Sequence, residues 1–195
     1  MAGNTSAGDK RRQAQFVSTG SPESAEDKLV NGQLPYPGQL GHYYDTYETI
    51  GENTTQQMPA THRRYIYVQL DSGVTTLTRN ALTWWKNLNT GVKDWIVTND
   101  PTGRQNFPAG RSPIWPGAVG SGFFIQVKGP GRLRFIDSPT STPDTTGKFV
   151  VPSTVANRAD CIATAPTNRI VGYTSGTYDA AAKECIVDLQ LEDTP

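Results

Sequence analysis

The sequence predicts an all-β fold: a compact β-barrel or β-sandwich body (residues 63–195) behind a long, extended, largely irregular N-terminal arm (residues 1–62). Three observations predict it. Residues 63–195 hold a series of short β-branched and aromatic runs, each closed by Gly, Pro, Asn or Asp. Many short strands with such turns between them make a sandwich or a barrel. Residues 1–26 offer only Phe16 and Val17 as an apolar pair among Ser, Gly, Thr, Gln and charges, too little to offset the entropy of ordering.

In the arm, Leu34-Pro35-Tyr36-Pro37-Gly38 sets two prolines around a tyrosine and favours extended chain. Tyr43, Tyr44 and Tyr47 follow, so half of the eight tyrosines lie within Tyr36–Tyr47. Tyrosine offers large contact area with few torsions and a polar tip, which suits anchoring an extended strand on a protein surface. Packing back on the chain's own body is the alternative.

In the body, Arg64–Leu70 reads as a strand ended by the turn Asp71-Ser72-Gly73, and Val92–Thr98 as one ended by Asn99-Asp100-Pro101. Gly122–Lys128 is the strongest strand; Gly129-Pro130-Gly131 and the alternating Arg132–Ile136 make a hairpin the natural expectation. Further strands are expected at Lys148–Val151, Asp160–Ala163, Arg169–Tyr173 and Cys185–Leu191. Leu77, Ala81, Trp84/Trp85 and Leu88 recur at roughly helical spacing, where a short helix and an irregular edge strand fit equally well. Pro101–Gly120 and Asp137–Gly147 read as long loops, with Trp115, between Pro113 and Pro116, as a loop or interface residue.

Charge and cysteine usage exclude several functions. Lys+Arg and Asp+Glu number 18 each, a net charge of zero, whereas a general nucleic-acid binder needs a cationic surface. No apolar run approaches membrane-spanning length, and the leading residues lack a signal-peptide core, so neither a membrane partner nor secretion is expected. Two cysteines, Cys161 and Cys185, make no disulfide scaffold and no four-cysteine zinc site; two buried thiols are the default. Residues 1–62 hold four basic and seven acidic groups and residues 63–195 hold 14 and 11, so an acidic arm could pair with the basic body of another copy.

Catalytic constellations are sparse. His42 and His62 both lie in the arm, which removes histidine-based nucleophilic catalysis and most zinc geometries from the body. The carboxylates Asp71, Asp94, Asp100, Asp137, Asp144, Asp160, Asp179, Glu184 and Asp188 are scattered, mostly at turn positions. Gly117–Gly122 precedes a strand and not a helix, which a phosphate loop requires. No enzyme, metal or cofactor is expected.

The run Gly120-Ser121-Gly122-Phe123-Phe124-Ile125-Gln126-Val127-Lys128-Gly129-Pro130-Gly131, then Gly147–Pro152, Arg169–Tyr173 and the final strand Cys185–Leu189, resembles the decoration (cement) proteins of tailed-bacteriophage heads over residues 63–191. The long arm and the proline-rich stretch near 101–120 depart from that pattern. The resemblance implies a virion protein on the outer surface of the capsid, made in the host cytoplasm. It would bind the major capsid protein, associate with its own copies as a homotrimer, bridge neighbouring subunits and stabilise the head against internal pressure. Tyr36, Tyr43, Tyr44, Tyr47 and Trp115 are the candidate partner-binding residues. A carbohydrate-binding β-sandwich and a tail or fibre component are the alternatives, and a carboxylate hydrolase is a third.

Overall fold

The structure, a computed structural model, describes residues 14–15, 40–50, 54–91, 94–113, 122–167 and 169–191. Only the backbone is described for the strand residues before Arg63 and for Asn89. Among the described residues the fold is all-β, with eleven strands. They are β1 (Ala14–Gln15), β2 (Leu40–Ile50), β3 (Thr54–Leu70), β4 (Ala81–Trp85), β5 (Ile96–Thr98) and β6 (Pro108–Ser112). Then follow β7 (Gly122–Arg134), β8 (Phe149–Pro152), β9 (Ala159–Ile162), β10 (Gly172–Thr174) and β11 (Glu184–Gln190). One 3-10 turn, Leu88–Thr90, ends at Gly91 with φ 80°.

The pairings close two rings that share β7. In the first, β3 pairs with β5 in parallel, β5 with β4, β4 with β6, β6 with β7, and β7 returns to β3, all antiparallel after the first pair. In the second, β7 pairs with β11, β11 with β10, β10 with β8 and β8 with β9. An isolated bridge from Phe135, the residue after β7, to Ala159 of β9 closes it, beside the 2.9 Å bond from Ile136 N to Ala159 O. Closure removes strand edges, the usual purpose of a barrel. A single apolar core runs through both rings, from Ile66, Val68, Trp84 and Phe123 to Val150, Cys161, Cys185 and Val187. On the opposite face of the β3–β7 pair, Tyr65 and Phe124 form a smaller cluster with Tyr67, whose ring meets Phe124 edge-on at 5.1 Å.

Strand β7 serves both rings because it bends. Its first half pairs with β3 as far as Arg64↔Lys128, and its second half with β11 from Gln190↔Lys128 to Glu184↔Arg134. Gly129 sits at the hand-over with φ 83°, a conformation that costs a Cβ-bearing residue free energy. The bend leaves three carbonyls turned together, and the Gln126 amide donates to all of them: Lys128 O at 3.1 Å, Gly129 O at 3.0 Å and Pro130 O at 2.9 Å. The Gln126 side-chain oxygen accepts from Arg111 Nη1 at 2.5 Å. Arg111 also donates through Nη2 to Asn80 Oδ1 at 2.7 Å, and Asn80 Nδ2 donates to Glu184 Oε2 at 3.0 Å. All four side chains are buried. A Cβ at Gly131 would overlap the Gln126 carboxamide oxygen and lie 2.8 Å from Arg111 Nη1, so this glycine makes room for the network.

Four local expectations change. Gly129-Pro130-Gly131 is a bend within one strand and not a hairpin turn, because the chain beyond it goes on pairing, now with β11. Leu77–Leu88 holds neither a helix nor an edge strand: β4 is fully buried and paired on both sides, and tertiary pairing overrides the helical spacing. The stretch expected as a loop from residue 101 contains β6, held by bonds such as Thr83 Oγ1 to Gly110 O at 2.8 Å. Its Pro-Ala-Gly-Arg-Ser sequence has no β-branched or aromatic residue to announce it. The strand expected at Val92–Thr98 is shorter, Ile96–Thr98. Within the arm, β2 and β3 pair through a bulge, and β3 runs unbroken across the 62/63 position where arm and body were expected to meet.

Replacing Gln126 with Leu removes a partner of the buried Arg111 guanidinium and leaves three carbonyls without its amide. The expected loss is about 2–4 kcal/mol in urea unfolding, with Gly131→Ala losing about 1–3 kcal/mol through the same network.

Candidate docking surface

The closed rings leave the body with little open backbone, and the arm has the contrary property. Residues Thr54–His62 of β3 have one strand partner among the described residues, β2, and β7 joins the ladder only from Arg64. Strand β1 pairs in parallel with β2 at its start, Ala14↔Gly41 and Gln15↔His42, and beyond that the β2–β3 pair is a two-stranded ribbon among the described residues, continuous with the body. A 17-residue strand spans ~55 Å at the usual rise. A body of about 130 residues is roughly 36 Å across, from a radius of gyration near 14 Å. About half of β3 lies in the body, so its ribbon portion Thr54–His62 is ~30 Å long, nearly the width of the body. The ribbon's bulge opposes Asp45↔Thr61 and Tyr47↔Gln57, and Met58-Pro59-Ala60 fills the longer side. Proline is tolerated there because a bulge needs no ladder donor.

Of the expected partner-binding residues, the backbones of Tyr43, Tyr44 and Tyr47 lie in β2, opposite Arg63, His62 and Gln57. The structure brings these three onto one strand of the ribbon. Tyr36 and Trp115 lie outside the described residues.

Several of the body's carboxylates have partners in the fold. Asp71 accepts from Gly73 N at 3.2 Å and pairs with Lys86. Asp94 accepts from Asn87 Nδ2 at 2.6 Å, and Asp100 accepts from Thr102 N and Arg104 Nη1, each at 2.9 Å. Asp179 caps Ala181 N at 2.9 Å, and Glu184 belongs to the Asn80–Arg111 network. Burial pulls the Arg111 guanidinium below its ordinary range; Glu184 opposes that and Arg132 adds to it. No group of three or more His, Cys, Asp or Glu suited to a metal ion occurs among the described residues.

The Asp137–Gly147 loop is fixed in place, although it holds no strand. Asp160 accepts from Thr140 N at 2.9 Å and from Thr140 Oγ1 at 2.7 Å, while Ser141 N donates to Cys161 O at 2.7 Å. Lys148 Nζ donates to Thr142 O at 2.8 Å and pairs with Asp144 at 2.7 Å. Its hydrogen bond, followed by those from Thr146, pulls the Asp144 carboxyl down to about 2.

Cys161 and Cys185 are free and buried. Burial pushes their thiols up to about 12 and about 11. Cys185 Sγ lies 3.0 Å from Gly176 O, as a donor.

Sequence reading named Glu184 only among the scattered carboxylates and Gln126 only within the Gly120–Gly131 run, and it did not join them with Asn80 and Arg111 in the network that holds the β7 bend. The available signal was Gln126 itself, a lone amide inside the apolar run Phe123–Val127. A buried amide needs partners, and its presence there announces a polar network.

No protein-family model, characterised protein or solved structure matches this chain.

Two outcomes are expected. In the folded protein neither thiol reacts with an aromatic disulfide reagent at pH 8, and both react after denaturation; fast labelling of either in the native state contradicts their burial. A depressed carboxyl contributes stability above its unfolded value of 3.8, which is lost as pH falls through about 2. The Thr146 amide should therefore stay protected at pH 5 and lose protection between about pH 4 and 2, and Asp144→Asn should abolish that pH dependence.

Proposed function

We propose that this chain is a structural decoration protein of a tailed-phage head. It binds the outer surface of the shell, bridges neighbouring major capsid protein subunits and resists their separation under internal pressure. The observation that carries this reading is the contrast between a body whose strands close on themselves and a strand-paired arm in which Thr54–His62 pairs with β2 and not with the body's strands among the described residues. The first gives a rigid unit and the second an element able to reach a neighbour. The resemblance of residues 63–191 to cement proteins agrees with it, as do carboxylates spent on turns and thiols sealed in the core. In this reading the copies act as a homotrimer on the virion surface, since a closed symmetric assembly multiplies modest contacts into firm attachment. Tyr36, Tyr43, Tyr44, Tyr47 and Trp115 remain its proposed contact residues.

The carbohydrate-binding alternative has one observation in its favour, the half-buried cross-strand pair Phe149–Tyr173. Its rings are tilted by 52°, which gives a sugar no shared plane to stack on. Trp95, half-buried, packs edge-on against Trp85 at 5.8 Å.

The test uses purified shells with and without the chain. With free chain at about 100 times its Kd, occupancy should stabilise each site by ~2.7 kcal/mol and raise survival of heating and osmotic shock. Equal survival with demonstrated binding contradicts the bridging role, and failure to bind contradicts the whole reading.

A further inference from the structure

The outward face of the second ring carries a row of side chains that a solvated sheet surface does not call for. Strand pairing sets Ile162 of β9 opposite Phe149 of β8, Phe149 opposite Tyr173 of β10, and Tyr173 opposite Asp188 of β11. Directly opposed residues on antiparallel strands share one face, with Cβ atoms about 4.5–5.5 Å apart. The four therefore form a continuous row across four strands, and all four are half-buried. Their strand neighbours Cys161, Val150 and Leu189 belong to the core on the other face. The outer face of an antiparallel sheet is ordinarily polar, and one aliphatic and two aromatic side chains in line mark a contact surface.

The row ends on a carboxylate with nothing to bind. Asp188 has no side-chain hydrogen bond or ion pair among the described residues, and neither has the Tyr173 hydroxyl a partner. Lys148, the cation next to Phe149 in the chain, is taken by Asp144 and Thr142 O. A free carboxylate and an aromatic ring side by side attract the same cation, the ring through its face. A guanidinium meets both demands, because it is planar, stacks on one ring and donates two parallel bonds to a carboxylate; an ammonium is a compact point charge. One ring suffices, so the 52° tilt between Phe149 and Tyr173 is no obstacle. The body's own arginines are largely committed. Arg63, Arg111 and Arg132 are buried, and Arg79, Arg104 and Arg158 donate to backbone carbonyls of their own fold. The complementary arginine therefore belongs to another protein.

We propose that the Phe149–Tyr173–Asp188 row is a docking site for an arginine side chain presented by the shell subunit, with Ile162 extending the contact to an apolar residue beside that arginine. The inference rests on the decoration reading for the partner's identity. It gives the body an attachment point of its own, apart from the arm.

The experiment uses the full chain. It is titrated with N-acetyl-arginine methylamide and, separately, with the neutral citrulline analogue, and the signals of Tyr173 and Asp188 are followed by NMR. The arginine compound is expected to shift them at least tenfold more strongly than the citrulline compound. Asp188→Asn and Tyr173→Leu should each weaken the arginine response at least fivefold, and Asp137→Asn, at an exposed carboxylate elsewhere, should leave it unchanged. No response, an equal response to both compounds, or an unaltered response of Asp188→Asn overturns the site. Purified shells should bind Asp188→Asn at least tenfold more weakly than wild type, with its near-ultraviolet spectrum unchanged. Shells that bind both alike overturn the proposal and leave the decoration role standing. A chain that responds to arginine at this row and binds no shell removes the decoration role and the shell as partner. Self-association that Asp188→Asn abolishes places the arginine on a second copy and likewise overturns the assignment to the shell.

Discussion

The fold depends on one strand being shared. Strand β7 closes the first ring through β3 and β6 and the second through β11, and it does so only because it bends at Gly129. A straight thirteen-residue strand would carry its ladder on to a single set of neighbours. At the bend the ladder passes from β3 to β11, and the Gln126 carboxamide donates to the carbonyls of Lys128, Gly129 and Pro130 there. Removing that amide takes a directional partner from the bend, at a cost of about 1 kcal/mol or more.

The network around Gln126 reaches far in sequence. Asn80 and Glu184 lie 104 residues apart and meet at 3.0 Å, and Arg111 connects them to the bend. Burying a guanidinium and a carboxylate is expensive, and apolar side chains of similar volume often serve stability as well. What a polar network adds here is geometry: each member has directional partners, so the two rings have one relative register. Asn80 adopts φ 61°, a left-handed conformation that asparagine tolerates better than most residues, and so aims its amide at both charged partners.

Much of this was legible in the sequence, and the exceptions have physical causes. The strands β8, β9 and β11 follow from β-branched runs closed by turn residues, and so does the body half of β3, whereas β10, expected at Arg169–Tyr173, is the shorter Gly172–Thr174. The turn at Asp71 follows from the way Asp binds its own backbone two residues on, as its bond to Gly73 N does. Strand β6 was hidden because Pro108, Ala109, Gly110, Arg111 and Ser112 have weak strand preference and are placed by β4 and by the polar network. The Gly-Pro-Gly at 129–131 was misread because the same residues serve hairpin turns and strand bends; the difference lies in the partner strand, β11, some fifty positions on. The tyrosines of the arm were visible as a cluster, and the ribbon that carries three of them follows from pairing that no local pattern encodes.

The account joins a body of closed strand rings to a strand-paired arm that extends β3 beyond the body's own ladder, and its central claim is that this pair fastens neighbours together. The most direct measurement is a reconstruction of purified particles by electron cryomicroscopy, with copy number from quantitative mass spectrometry. The account predicts copies in fixed proportion to the shell subunits, with bodies outside the shell and ribbons crossing onto adjacent molecules. A few copies at one vertex, or ribbons folded back on their own bodies with no neighbour in contact, would contradict it.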